Sequence, residues 1–104
     1  MTTPDLPLEI TWDTNKARSN HAKHGVTFAQ AATVLLDAQA LTAYDEIHSD
    51  FEDRWFTLGT SSEGRLLAVA HTFSSTGSSS PRARIISARE ATKAERRQYQ
   101  ENPA

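Results

Sequence analysis

Two stretches of this 104-residue chain carry side chains suited to holding a phosphate. Lys16, Asn20, Lys23 and His24 stand at i, i+4, i+7 and i+8, a spacing that sets them on one side of a helix. Arg84-Ile85-Ile86-Ser87-Ala88-Arg89 reads as an apolar strand with an arginine at each end. A guanidinium stays charged and forks naturally onto phosphate oxygens, so stripe and strand together suit the anchoring of a phosphate beside a sheet. A carboxylate partner in Asp13, Glu95 or the acidic segment would instead make either arginine half of a structural ion pair. Alternation puts Arg84 and Ile86 on one face of the strand and Ile85, Ser87 and Arg89 on the other, which gives the two arginines different tasks.

His71 alternates with Leu67, Val69 and Phe73, so it lies in the core or lines a groove on that side. Its imidazole titrates near neutrality and could move a proton. Arg54 beside Trp55 offers a cation and a ring on which an unpaired base could stack, although Trp55 would equally serve the core. Tyr99 stands four residues after Glu95, within reach across one helical turn, and could pack or donate to a substrate. His21 and His24 have the spacing of a metal pair, but only His48 or Asp50 could complete it, and no metal site is expected. Gly-rich phosphate loops, nucleophile elbows and paired zinc motifs are missing from the sequence.

These side chains need elements to hold them. Glu9 to Trp12 alternates as a short half-buried strand, Asp13 offers an N-cap for a polar helix over 14–24, and Gly25 supplies its left-handed end. Thr27 with Gln30 forms a capping box for a second helix, whose core stripe is Phe28, Ala31, Ala32, Leu35 and Leu36. Four strands are predicted at 40–44, 54–58, 65–73 and 82–88. Gly59 to Gly64 makes a hairpin loop and Ser74 to Pro81 a longer Ser-rich one, both too short for a crossover helix, so antiparallel pairing follows. Thr92 with Glu95 caps a last helix that runs to about Tyr99. The order strand, two helices, four-strand meander and helix predicts an α+β fold with helices on one face of an antiparallel sheet.

Composition limits the function further. A chain of this length builds one core, and with no cysteine it has neither a disulfide framework nor a thiolate zinc site, so a reducing cytoplasm is expected. The start lacks a signal-peptide pattern, and no window approaches a membrane span. The net charge of −2 argues against a general nucleic-acid binder, but the charge is unevenly distributed. Residues 37–53 hold six acids and no Lys or Arg, whereas 82–97 holds six bases against Glu90 and Glu95. Each cluster could also be an ordinary solvated face.

The same residues carry a family likeness. Trp12-Asp13-x-x-Lys16-x-x-x-Asn20-x-x-Lys23-His24-Gly25-Val26, then Phe28 and Ala31, then Arg84 to Arg89 with Ala91-Thr92 and Glu95-Arg96-x-x-Tyr99, resemble the BrnT toxins over roughly residues 9–100. The resemblance implies one RelE-like domain over 1–104, with residues 1–8 as an N-terminal extension and 101–104 as a tail. In it an antiparallel sheet carries two N-terminal helices and one C-terminal helix. It implies a ribonuclease toxin of a type II toxin-antitoxin pair, inhibited by a BrnA-like antitoxin whose ribbon-helix-helix part binds DNA. Cutting RNA without a metal requires a base for the 2′-hydroxyl, cations for the phosphoryl oxygens and an acid for the leaving oxygen. On this reading His71 is the acid/base candidate and Arg84, Arg89 and Arg54 are the electrostatic ones. Lys16, Asn20, Lys23, His24, Trp55 and Tyr99 would contact RNA, and no cofactor is needed. The acidic balance leaves an alternative, a non-catalytic module that docks a basic antitoxin helix and acts as co-repressor.

Overall fold

A computed structural model describes residues 8–75 and 80–101. All of the expected N-terminal extension but Leu8, residues 102–104 of the expected tail and 76–79 of the Ser-rich loop lie outside these bounds. Five strands and three helices follow in the order β1 (Glu9–Trp12), α1 (Thr14–His24), α2 (Phe28–Val34), β2 (Leu41–Tyr44), β3 (Trp55–Thr60), β4 (Leu66–His71), β5 (Arg82–Glu90) and α3 (Lys93–Glu101).

The expected punctuation is largely present. The Asp13 carboxylate accepts from the Lys16 N–H at the start of α1, and Gly25 ends that helix with φ +67°, where a side chain would be strained. Thr27 caps α2 through the Gln30 N–H, but the Gln30 side chain does not reciprocate. It binds Glu63 and Arg65 instead, so the box is only half made. At the C-terminal end α2 tightens after Val34, with Leu35 N–H bonded to the Ala32 carbonyl, and Leu36 leaves the expected core stripe to face solvent. Thr92 and Glu95 exchange both bonds of a capping box at α3.

The sheet order is β1-β5-β4-β3-β2. Strands β2 to β5 pair antiparallel as the loops dictate, whereas β1 lies parallel to β5, with Trp12 opposite Ile85. The parallel pair is possible because the chain between β1 and β5 contains the rest of the sheet and two helices.

Two layers pack on the sheet, one per face. Val26, Phe28, Ala31 and Val34 meet Leu67, Val69, Ile85 and Ala88 on the first face, under α1 and α2. Leu58, Leu66 and Ala68, with Leu41, Phe56, Ala91 and Tyr99, form a smaller cluster under α3. Leu66 and Leu67 are adjacent in β4 and so point to opposite faces, which puts α3 on the side away from α1 and α2. The expectation of all helices on one face therefore does not hold. Gly59 lies where α2 approaches β3, and a Cβ there would come within 3.0 Å of Val34 Cγ1 and 3.1 Å of Asp37 Oδ2.

Candidate functional site

Register decides which candidates can act together. Ala70 pairs with Ser87 and His71 with Ile85, so Ile86 is an extra residue in β5 and forms a bulge. The bulge resets the alternation. Ile85 and Ala88 both enter the core under α1 and α2, and Arg84 and Arg89 consequently share the opposite face. Strict alternation separates these two arginines; the inserted residue brings them together.

Arg54 joins them. Trp55 pairs with His71 on the α1/α2 side, so its neighbours Arg54 and Phe56 project to the face of Arg84 and Arg89. There the Arg84 guanidinium donates to Glu52 Oε1 at 2.6 Å, and Arg54 Nη2 stands 3.8 Å from the same oxygen. The bond from Arg84 holds the Glu52 carboxyl below its ordinary value, and the charges of Arg84, Arg54 and Lys16 act in the same direction. Arg54 Nε is buried without a hydrogen-bond acceptor. Farther along the face Arg89 forks onto both Glu95 oxygens at 2.8 and 3.0 Å and stacks on the Phe56 ring at 5.4 Å. The Arg89 fork, with help from Thr92, drives the Glu95 carboxyl down to about 2. A shallow groove of about 280 Å³ lies beside this pair, lined by Leu41, Phe56, Leu58, Glu95 and Gln98.

His71 lies on the other side of the sheet. It is 5% exposed, and its Nδ1–H donates to the Thr72 carbonyl at 2.8 Å. Nε2 then accepts from the Thr57 hydroxyl at 2.7 Å, and Thr57 in turn takes the Thr42 hydroxyl at 2.9 Å. Burial lowers the imidazole pKa, against the pull of the Thr72 carbonyl, and so favours the neutral ring. His71 and these threonines floor an apolar groove of about 400 Å³, walled by Leu8, Leu35, Trp55, Phe73 and Ala83. The expected partnership of His71 with Arg84, Arg89 and Arg54 is therefore not formed, because a sheet separates them. Trp55 goes with His71, edge-on to Tyr44 at 5.2 Å, rather than with Arg54.

The remaining candidates divide. Lys16, Lys23 and His24 are exposed along α1 beside Ile86 and Ser87. Asn20 is not part of that exposed edge. It is 6% exposed, its amide donates to the carbonyls of Val26 and Ala88, and its oxygen accepts the Ala88 N–H at 3.1 Å. The Tyr99 hydroxyl is likewise engaged within the protein, donating to Asp37 at 2.6 Å and accepting from Thr60. Burial opposes ionisation of Asp37, but the Thr60 N–H and Tyr99 hydroxyl prevail and hold its pKa below the ordinary value.

Glu52, which meets both Arg84 and Arg54, is a candidate that sequence reasoning did not single out. Its signal was present in the acidic run, but only the fold shows which of six acids meets the arginines.

The family model for the ribonuclease toxin BrnT of type II toxin-antitoxin systems matches residues 12–95. The chain belongs to the BrnT toxin family. The crystal structure of the Brucella abortus ribonuclease toxin BrnT superposes with a TM-score of 0.57 at 28% identity, covering 84% of this chain and 100% of that one. No curated protein sequence matches the chain. The three helices and five-strand sheet are thus a BrnT fold, and both long motifs of the sequence fall within the matched span. Among the described residues no helix is long and apolar enough to cross a membrane.

Proposed function

We propose that this BrnT family member is a cytoplasmic endoribonuclease that cuts RNA by metal-independent transesterification on the arginine-bearing face of its sheet. One observation carries the assignment: Arg84 of β5 and Arg54, just before β3, direct their guanidiniums at a single carboxylate oxygen. That oxygen occupies the position a phosphoryl oxygen would take, with Lys16 adding charge nearby. Two guanidiniums on one oxyanion supply the electrostatic stabilisation that a pentacoordinate phosphorane needs. Phe56 lies on the same face with Arg89 stacked on its ring, and an open groove runs beside the pair. His71 has a structural role here, because both its nitrogens are engaged behind the sheet.

The partner is a BrnA-like antitoxin whose ribbon-helix-helix part takes the complex to DNA. A second role, protein-binding module and co-repressor, is favoured by the acidic loop between β2 and β3. There Ile47 is 81% exposed and Phe51 fully so, among Asp45, Glu46, Asp50 and Asp53. Exposed apolar groups rimmed by acids suit a basic amphipathic helix.

The test is cleavage of a mixed-sequence messenger RNA in EDTA, with and without ribosomes. Wild-type protein is expected to leave 2′,3′-cyclic phosphate ends, and Arg84→Ala to cut about 100-fold or more slowly with its melting temperature nearly unchanged. His71→Ala should lose stability but keep cutting in proportion to its folded fraction. Cleavage abolished by EDTA, or untouched by Arg84→Ala, would contradict the assignment.

A further inference from the structure

We infer that Glu52 is the general base of the cleavage reaction, taking the 2′-hydroxyl proton after the RNA phosphate has displaced it from Arg84 and Arg54. The inference rests on the ribonuclease function proposed above and adds a catalytic group to it.

The arginine face needs a base, and the described residues leave few choices. His71 lies behind the sheet with both ring nitrogens occupied. Glu95 is committed through both oxygens to Arg89 and through one of them to the Thr92 N–H. Asp45 holds His48, and Asp53 takes the Tyr44 hydroxyl. Glu52 alone of these carboxylates meets Arg84 and Arg54. Oε1 receives Arg84, while Oε2 makes no hydrogen bond among the described residues. Its side chain is 42% exposed and stands at the end of the loop before β3, so it can swing without breaking core contacts.

Displacement follows from competition for the same donors. A phosphodiester offers two non-bridging oxygens, enough to engage Arg84 and Arg54 at once, where Glu52 places one oxygen at 2.6 and 3.8 Å. Arg54, which has a buried Nε without an acceptor, gains a bond by turning onto the new anion. The released carboxylate stays beside the phosphate, close to the adjoining ribose. Losing the Arg84 bond and facing an anion both raise its proton affinity, so binding of substrate turns a weak base into a competent one. The charged groups facing it are Arg84, Arg54 and Lys16.

In the chemical step Glu52 removes the 2′-hydroxyl proton and the 2′-oxygen forms a bond to phosphorus. The bond from phosphorus to the 5′-oxygen breaks, that oxygen takes a proton from water, and Glu52 returns its own proton to solvent. The products are a 2′,3′-cyclic phosphate and a 5′-hydroxyl, with no change of oxidation state.

Glu52→Gln keeps the shape and removes the base. With a mixed-sequence RNA as substrate, kcat is expected to fall about 100-fold or more while KM changes little. Binding of the corresponding all-deoxy oligonucleotide, which lacks the nucleophile, should be unchanged or tighter. Glu52→Asp should retain intermediate activity, and melting temperatures should stay together. Cutting by Glu52→Gln within threefold of wild type, or faster, would make Glu52 a mere occupant of the phosphate site and overturn the inference. A loss of all-deoxy binding that matches the loss of cutting would also overturn it. In both cases loss of cutting in Arg84→Ala leaves the ribonuclease function standing. A wild-type protein that cuts no RNA removes both.

Discussion

Asn20 shows what side-chain spacing conveys and what it omits. The i, i+4, i+7 pattern places it on the same side of α1 as Lys16 and Lys23, but an angle around a helix axis says nothing about depth. Strand β1 stops at Trp12, opposite Ile85, so beyond that point β5 has no strand neighbour on this side. The Asn20 amide fills the gap, giving Ala88 one donor and one acceptor as a paired strand would, and also holds the Val26 carbonyl. Removing it leaves buried backbone groups unpaired. Asn20→Ala should therefore lower the unfolding free energy by about 2–4 kcal/mol, the cost of a few unsatisfied buried groups. Asn20→Asp, which loses both donors, should fare no better. Urea denaturation measures this directly, and a loss under about 0.5 kcal/mol would show that water replaces the amide at no cost.

Most elements were legible because each has local chemistry at its ends. Asp13, Gly25 and the Thr92-Glu95 box set α1 and α3 to within a residue or so, and alternation located the four later strands. Three features depend on contacts distant in sequence and left no local signal. The parallel placement of β1, the bulge at Ile86 and the docking of α3 on the far face each follow from long-range pairing. The bulge matters most for the site, since it moves Arg84 and Arg89 to one face. Family likeness recovered the fold and function class, but it could not say which side of the sheet each side chain takes. The attachment of α3 predicts an acid response. Arg89 on β5 forks onto Glu95 of α3 and depresses that carboxyl from 4.5 to about 2 in the folded protein. A group with a depressed folded pKa stabilises the fold above its unfolded value and loses that contribution as pH falls toward the folded one. The anchoring of α3 should thus be intact above about pH 5 and weaken from there down to about 2. Glu95→Gln should melt below wild type at pH 6, with the gap closing near pH 2. A gap independent of pH would mean that the glutamate acts through its hydrogen bonds alone.

Charge over the whole molecule sets how such a protein can hold RNA. With a net charge of −2 there is no broad positive field to gather nucleic acid, so attraction must come from the few cations that converge locally. Arg84, Arg54 and Lys16 are those cations, all acting on Glu52, while Arg89 is already matched by Glu95. On the proposed function, the acids of the loop between β2 and β3 other than Glu52 repel strands that approach from their side, which leaves the arginine face for contact. Contacts limited to about three phosphates predict a shallow salt dependence. For single-stranded nucleic acid the slope of log K against log salt should be about −2, where a general binder with ten contacts would give about −7. Titration of an all-deoxy oligonucleotide from 50 to 300 mM salt, followed by fluorescence anisotropy, measures it. Arg84→Ala should reduce the slope by about 0.7, one phosphate's worth. A wild-type slope steeper than about −3.5 would mean that Lys23, Arg96 and Arg97 also touch the strand and that the footprint extends along α1 and α3. A slope near zero would leave the guanidiniums without a phosphate and return the acidic loop, with its exposed Ile47 and Phe51, to the centre of the protein's function.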